Sequence, residues 1–186
     1  MEYDVVVVGG GPSGLATAIK FAQLNKQNGT DYSICLLEKG SEIGAHILSG
    51  NVFQPNALDE LIPNWKELNA PLNVPVTKDK IYYLLKNIGI PVPPFVMPNL
   101  NNHGNYVISL GNLCRWLGEQ AENLGVEVFP GFPASKLIFE NDEVVGVQTG
   151  DMGVSESGEL KPGHELGIEI KACLLYTSDA ADDCVC

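Results

Sequence analysis

The sequence predicts an α/β fold with a parallel sheet built from βαβ units, on three observations. Residues 5–8 are four valines in a row, the pattern of a strand buried on both faces of a parallel sheet. Gly9, Gly11 and Gly14 follow at once in a G-x-G-x-x-G spacing, ahead of apolar residues at helical period. A second apolar run, residues 33–37, ends in the acid Glu38. Together these make strand, glycine turn, helix and strand, a unit whose crossover is expected to be right-handed.

The remaining elements are taken in order. Pro12 suits a helix first turn, and Leu15, Ala18, Ile19 and Ala22 repeat at helical spacing to about Leu24, before Asn28-Gly29-Thr30 ends the segment. Between residues 44 and 73 the order is less plain; Phe53, Leu58, Leu61, Ile62 and Trp65 can share one face of a short helix begun near Pro55. Residues 81–85 and 88–96 read as strands, the second at a sheet edge because of Pro91, Pro93 and Pro94. Residues 106–109, 113–124 and 126–129 read as strand, helix and strand, with Gly125 as the helix stop, a second βαβ-like segment. Residues 136–140 and 144–149 flank Asn141-Asp142-Glu143, a hairpin signal. Residues 151–163 are glycine-rich and polar, hence a loop, and residues 165–172 alternate toward one more strand. There is no internal repeat.

Bulk properties narrow the function. Of 186 residues, 45% are hydrophobic and 18% charged, and no apolar run is long enough to span a bilayer. A formal charge of -12 argues against nucleic acid as partner, because phosphate neutralisation needs clustered Lys and Arg. The first strand begins almost at Met1, so no signal or transit peptide is expected and the start reads as cytoplasmic and bacterial. Cys35 and Cys114 are isolated, and Cys184-Val185-Cys186 alone is a weak metal signal, so no metal ligands are assigned.

The glycine turn carries the chemistry. Gly9 permits the tight turn, Gly11 lets backbone approach a diphosphate, Gly14 lets helix and strand pack closely, and the helix N-terminal amides face the anion. Glu38 lies 24 residues beyond Gly14, where a carboxylate accepts hydrogen bonds from ribose hydroxyls. The same acid repels a 2′-phosphate, which disfavours NADP. The three glycines do not separate FAD from NAD; the glycine-punctuated, mostly uncharged stretch after Glu38 favours FAD.

Longer motifs then become recognisable. "LEKGSEIGAHILSG", "NWKELNAPLNVPVTKDK", "NNHGNYVISLGNLCRWLGEQAENLGVEVFPGF" and "GVQTGDMG" together resemble the N-terminal part of the electron-transfer flavoprotein:ubiquinone oxidoreductase family, over residues 4–172. The resemblance implies a Rossmann-like FAD-binding core with part of an antiparallel β-containing quinone or substrate domain inserted at about 75–110. It also implies a full-length enzyme that takes electrons from reduced electron-transfer flavoprotein and reduces ubiquinone through FAD and a [4Fe-4S] cluster. Such an enzyme sits on a membrane surface, here the cytoplasmic face of a bacterial inner membrane.

Residue by residue, the resemblance gives Gly9, Gly11, Pro12, Ser13 and Gly14 to the FAD diphosphate, Glu38 to the adenosine ribose, and the backbone at Val128 to the adenine. It names no catalytic acid or base. The stretch matching the family's membrane-dipping segment is residues 47–63, with Phe53, Leu58, Leu61 and Ile62 as the inserted face and Asp59 and Glu60 toward water. An ordinary core-facing helix has the same pattern. His46 and His103 fall within family motifs and could lie near the flavin or quinone path, but a lone histidine is more often structural; His164 reads as solvated.

The cluster cysteines of the family have no counterpart here, since four thiolates at suitable spacing are required. The resemblance stops after "ELGIEIKA". The next residues are "CLLYTSDAADDCVC", and a possible codon string for Cys173 to Asp182, TGT CTC TTA TAC ACA TCT GAC GCT GCC GAC, looks like a transposon-end sequencing adaptor. Residues 173–186 are therefore expected to be a non-native tail, the bland alternative being a disordered acidic end. They hold Asp179, Asp182 and Asp183 and no Lys or Arg, so the charge without them is -9. Two other readings stand beside the enzyme. One is a related FAD-dependent reductase, geranylgeranyl-reductase-like or FixC-like; the other is a non-catalytic truncated FAD-binding module, in which the isolated chain aggregates and binds FAD weakly.

Overall fold

The computed structural model describes residues 1–93, 96, 102–154 and 160–177. In chain order its elements are β1 (Glu2–Val8), α1 (Pro12–Asn28), β2 (Ile34–Glu38), β3 (Ser49–Phe53), α2 (Asn56–Leu61), β4 (Val74–Pro75), β5 (Ile81–Leu84) and β6 (Gly89–Val92). There follow β7 (Tyr106–Ser109), α3 (Leu110–Asn123), β8 (Glu127–Pro130), β9 (Ala134–Glu140), β10 (Glu143–Thr149), β11 (Met152–Val154), β12 (Leu160–Glu165) and β13 (Glu169–Thr177). Contacts divide the chain into two units: Met1–Ile47 with the described residues of Cys114–Cys186, and Leu48–Leu113. The sequence put the insertion at about 75–110, and the second unit is wider because β3, α2 and β4 belong to it.

The first unit is built on a six-stranded sheet of order β8-β2-β1-β13-β10-β9. The four strands from β8 to β13 are parallel, and β10 and β9 are antiparallel additions. Val5 to Val8 stand opposite Ile34 to Leu37, so both central strands are apolar on both faces. Val6, Val7, Cys35 and Leu36 are fully buried, each such aliphatic side chain contributing roughly 1.5–3 kcal/mol. Against the sheet, α1 buries Gly14, Leu15, Ala18, Ile19 and Ala22, one stripe at spacings of three and four. The helix runs four residues past Leu24 and stops at Gly29, whose φ of 66° supplies the left-handed C-cap.

Three sequence expectations change. Residues 151–163 are not simply a loop, since β11 and β12 pair antiparallel within them; residues 155–159 lie outside the described residues. The strand, helix and strand of β7, α3 and β8 are not a βαβ unit of one sheet: β8 joins the six-stranded sheet, whereas β7 lies between β3 and β4. Local periodicity specifies element type and is silent on which sheet a strand enters. The final strand, expected at 165–172, is Glu169–Thr177, and Leu174 to Thr177 stand opposite Val5 to Val8. The rest of the expected tail, residues 178–186, lies outside the described residues. The Asn141-Asp142 turn is as the sequence reads, both residues having positive φ between β9 and β10, which suits a primed hairpin turn.

The second unit has a three-stranded antiparallel sheet, β3-β7-β4, and a separate hairpin, β5-β6. Its buried apolar residues are Leu58, Ile62, Trp65, Ala70, Leu72, Ile108 and Leu113. Trp65 is the anchor: its ring meets Tyr106 edge-on at 5.9 Å, its Nε1–H donates to Asp59 Oδ1 at 2.7 Å, and Lys66 Nζ stands 5.1 Å from its centroid. The excursion that carries β5 and β6 is pinched at its base, where Val76 N–H donates to the Asn105 carbonyl and Asn102 N–H to the Asp79 carboxylate.

Candidate functional site

The carboxyl ends of β1 and β2 lie side by side in the sheet, which is where open parallel sheets bind their ligands. β1 ends at Val8, and Gly9 turns away with φ 104°, a conformation that favours glycine. Its N–H still donates to the Leu37 carbonyl at 2.8 Å, so the turn starts in register with β2. A Cβ on Gly14 would stand 2.0 Å from the Gly9 carbonyl oxygen. Gly14 is therefore the residue on which the close approach of turn and helix depends.

Gly11 is different. A Cβ there would meet nothing within 4 Å, so the glycine borders open space at the N-cap of α1. Pro12 begins the helix without a needed N–H, and no acid occupies its first turn. The amides of a 17-residue helix thus point at a position with no carboxylate of its own, which favours an anion. Ser13 is exposed, and its Oγ lies 2.7 Å from the hydroxyl of Tyr176; that contact, then one with Thr17, lowers the tyrosine pKa.

Glu38 ends β2 half-buried, with both carboxylate oxygens engaged. Gly10 N–H donates to Oε2 and Gly40 N–H to Oε1, each at 2.7 Å. Its main chain is fixed as well, the carbonyl accepting from Phe132 N–H at 2.9 Å while the Gly40 carbonyl accepts from Gly131 N–H at 2.7 Å. Each carboxylate oxygen retains capacity to accept from a ribose hydroxyl. Val128 is half-buried on β8 opposite Leu36, two residues before the Glu38–Pro130 pair.

The structure brings together Gly9, Gly11, Pro12, Gly14 and Glu38, with Ser13 on the exposed side of α1. Sequence reasoning missed Gly10 and Gly40. A Cβ on Gly10 would lie 2.6 Å from Ile43 Cδ1 and 2.9 Å from Glu38 Oε2, and one on Gly40 would lie 3.0 Å from Glu38 Oε1. The signal was present in the Gly9-Gly10-Gly11 triplet and in Glu38-Lys39-Gly40, but G-x-G-x-x-G spacing assigns no task to those two glycines.

The expected membrane face does not form. Leu58 is 4% exposed and Ile62 6%, while Phe53 and Leu61 are half-buried. Leu58 and Ile62 are apolar because they build the core of the second unit, and a six-residue α2 has too few positions for a second apolar face. Asp59 binds Trp65 instead of only facing water. His46 and His103 are exposed. His164 is less solvated than expected, its Nε2 standing 3.6 Å from Asp151, whose carboxyl is held below the usual range by Gly167 N–H first and His164 after it. Burial pushes the Cys35 and Cys114 thiols up to about 12, so both stay protonated and apolar. Among the described residues no three His, Cys, Asp or Glu side chains gather as a metal would require.

Residues 7–67 match the NAD(P)-binding Rossmann-like domain family. Among solved structures, a geranylgeranyl bacteriochlorophyll reductase-like protein from Thermoplasma acidophilum aligns with a TM-score of 0.67 at 23% identity, over 96% of this chain and 39% of that one. A myxobacterial chondrochloren halogenase aligns at 0.64 and 17%, over 95% and 37%. These likenesses and the glycine turn define the class by its fold: an α/β protein with a Rossmann-like domain. The sequence relatives are more particular. The chain is 55% identical to the electron transfer flavoprotein-ubiquinone oxidoreductase of Pseudomonas aeruginosa, over 92% of its own length and 32% of the relative's. It is 49% identical to the mitochondrial protein of that name from Bos taurus, over 92% and 28%. It is thus a relative of the electron transfer flavoprotein-ubiquinone oxidoreductases that spans about a third of their length.

The two glycines give opposite expectations for stability. Gly14→Ala forces a Cβ into a carbonyl and is expected to cost more than about 4 kcal/mol, whereas Gly11→Ala is expected to stay within about 0.5 kcal/mol of the parent. Urea unfolding of both variants checks this, and equal effects contradict the assignment.

Proposed function

We propose that this chain is the dinucleotide-binding part of an FAD-dependent oxidoreductase that, as a whole protein, takes electrons from reduced electron-transfer flavoprotein and delivers them to ubiquinone. The observation that carries the reading is an open glycine turn beside a fixed carboxylate, in a chain 55% identical to a protein of that name. The residues present fit an FAD: Gly11 leaves room for a diphosphate where any Cβ would project, and Glu38 is anchored with acceptor capacity to spare. When bound, the flavin accepts electrons and passes them on.

Within this proposal Gly9, Gly11, Pro12, Ser13 and Gly14 hold the diphosphate, Glu38 accepts from the adenosine ribose, and the Val128 backbone borders the adenine. No side chain is assigned the role of catalytic acid or base. The described residues do not fit a [4Fe-4S] cluster: Cys35 and Cys114 are buried core thiols, Cys173 is exposed, and no three ligand side chains gather among the described residues.

A membrane surface, at the cytoplasmic face of a bacterial inner membrane, completes the reading. No helix among the described residues is long and apolar enough to cross a bilayer. Support comes from β5-β6 instead, where Tyr83 is 64%, Leu84 77%, Leu85 51% and Ile88 65% exposed. Lys78, Lys80 and Lys86 are exposed in the same stretch of a chain that is otherwise strongly acidic. Apolar tips flanked by lysines suit an interface with anionic lipid.

Two measurements test the proposal. The complete gene product is expected to purify with one FAD, seen as flavin absorbance, and Gly11→Ala to weaken FAD uptake by more than about tenfold with the fold intact; a colourless protein that takes up no added FAD overturns the reading. The same protein is expected to float with vesicles containing anionic lipid, and Leu84→Glu with Ile88→Glu to lower the bound fraction by about tenfold or more. Unchanged flotation of the double variant removes the hairpin from the proposal.

A further inference from the structure

We propose that Ile43 is a positioning residue for the ribose of the bound dinucleotide, acting through Glu38, and that Gly10 and Gly118 are the bare positions that admit it. The inference rests on the dinucleotide reading above. Ile43 lies in the loop after β2, is 9% exposed, and belongs to the same unit as the glycine turn.

On one side, Ile43 Cδ1 and Glu38 Oε2 crowd the same glycine, at 2.6 and 2.9 Å from where a Gly10 Cβ would stand. The terminal methyl and the carboxylate are therefore neighbours across Gly10. On the other side, a Cβ on Gly118 would lie 3.4 Å from Ile43 Cγ1 and 3.6 Å from Cγ2, so the bare backbone of α3 forms the wall behind the isoleucine. Glu42 pairs with Arg115 of α3 at 3.1 Å, fastening the preceding residue to that helix. Gly40, two residues beyond Glu38, is held to Gly131.

The loop is thus tied down at Glu38, Gly40, Glu42 and Ile43; the Ile43 methyl packs on the Oε2 side of the carboxylate beside Gly10, while the Glu42 carbonyl and His46 Nδ1 stand near Gly40 on the Oε1 side. Removing the methyl leaves a gap on the Oε2 side into which the carboxylate can shift within its two N–H bonds, away from the ribose, while its charge remains. Groups held by packing lose effectiveness steeply when they shift by about 1 Å.

The test uses the complete gene product stripped of flavin, with ADP and 2′-deoxy-ADP as probes in titration calorimetry. Ile43→Ala is expected to weaken ADP by about tenfold, the scale of one hydrogen bond to a charged acceptor, and 2′-deoxy-ADP by less than about twofold. Ile43→Val deletes the methyl beside Gly10 with little loss of core, and is expected to weaken ADP by about threefold with 2′-deoxy-ADP unchanged. Equal losses for both probes, or a preference for ADP that both variants keep, overturn the inference and leave the dinucleotide reading standing. A parent protein that binds neither FAD nor ADP overturns that reading, and the inference with it.

Discussion

One carboxylate holds the candidate site together. Glu38 accepts two backbone N–H groups from two different turns, Gly10 after β1 and Gly40 after β2. Charge-assisted hydrogen bonds of this kind are roughly twice as strong as neutral ones, and here they join the ends of two parallel strands. Without the acid, Gly10 and Gly40 would each present a part-buried amide with no acceptor, which costs roughly 1–3 kcal/mol apiece. The glycine turn and the loop carrying Glu42 and Ile43 therefore derive their relative placement from Glu38. In the proposed reading, the ribose-binding acid and the structural staple are one residue.

That arrangement depends in turn on the sheet. β1 and β2 reach the site because valines 5–8 and residues 34–37 pair in register and are buried on both faces, with α1 on one of them. The core supplies rigidity and leaves the chemistry to the strand ends, so Cys35 and Cys114 serve as apolar filling. Burial keeps their thiols protonated, and apolar volume is what those positions need.

The fold was legible in the sequence where one residue pattern permits one outcome. A β-branched run, three spaced glycines and an acid at the end of the next strand leave little choice, and β1, α1 and β2 form as read. Legibility failed where the deciding contact is distant in sequence. The apolar spacing of Leu58 and Ile62 suits a membrane face as well as a core, and only the position of Trp65 and Tyr106 settles which side is buried. The pattern of β7, α3 and β8 suits a βαβ unit, but pairing of β7 with β3 and β4 sends it to another sheet. Gly10, Gly40 and Ile43 escaped notice because their roles exist only once Glu38 has folded back between two turns.

Native-state hydrogen exchange by NMR at the Gly10 and Gly40 amides, in the flavin-free parent and in Glu38→Gln, tests the staple most directly. Glutamine keeps one acceptor oxygen, so one amide must lose its partner. The account predicts that both amides are protected in the parent and that at least one exchanges more than about tenfold faster in the variant, with the Leu36 and Leu37 amides of β2 unchanged. Fast exchange at both glycines in the parent, or identical rates in the two proteins, would contradict it.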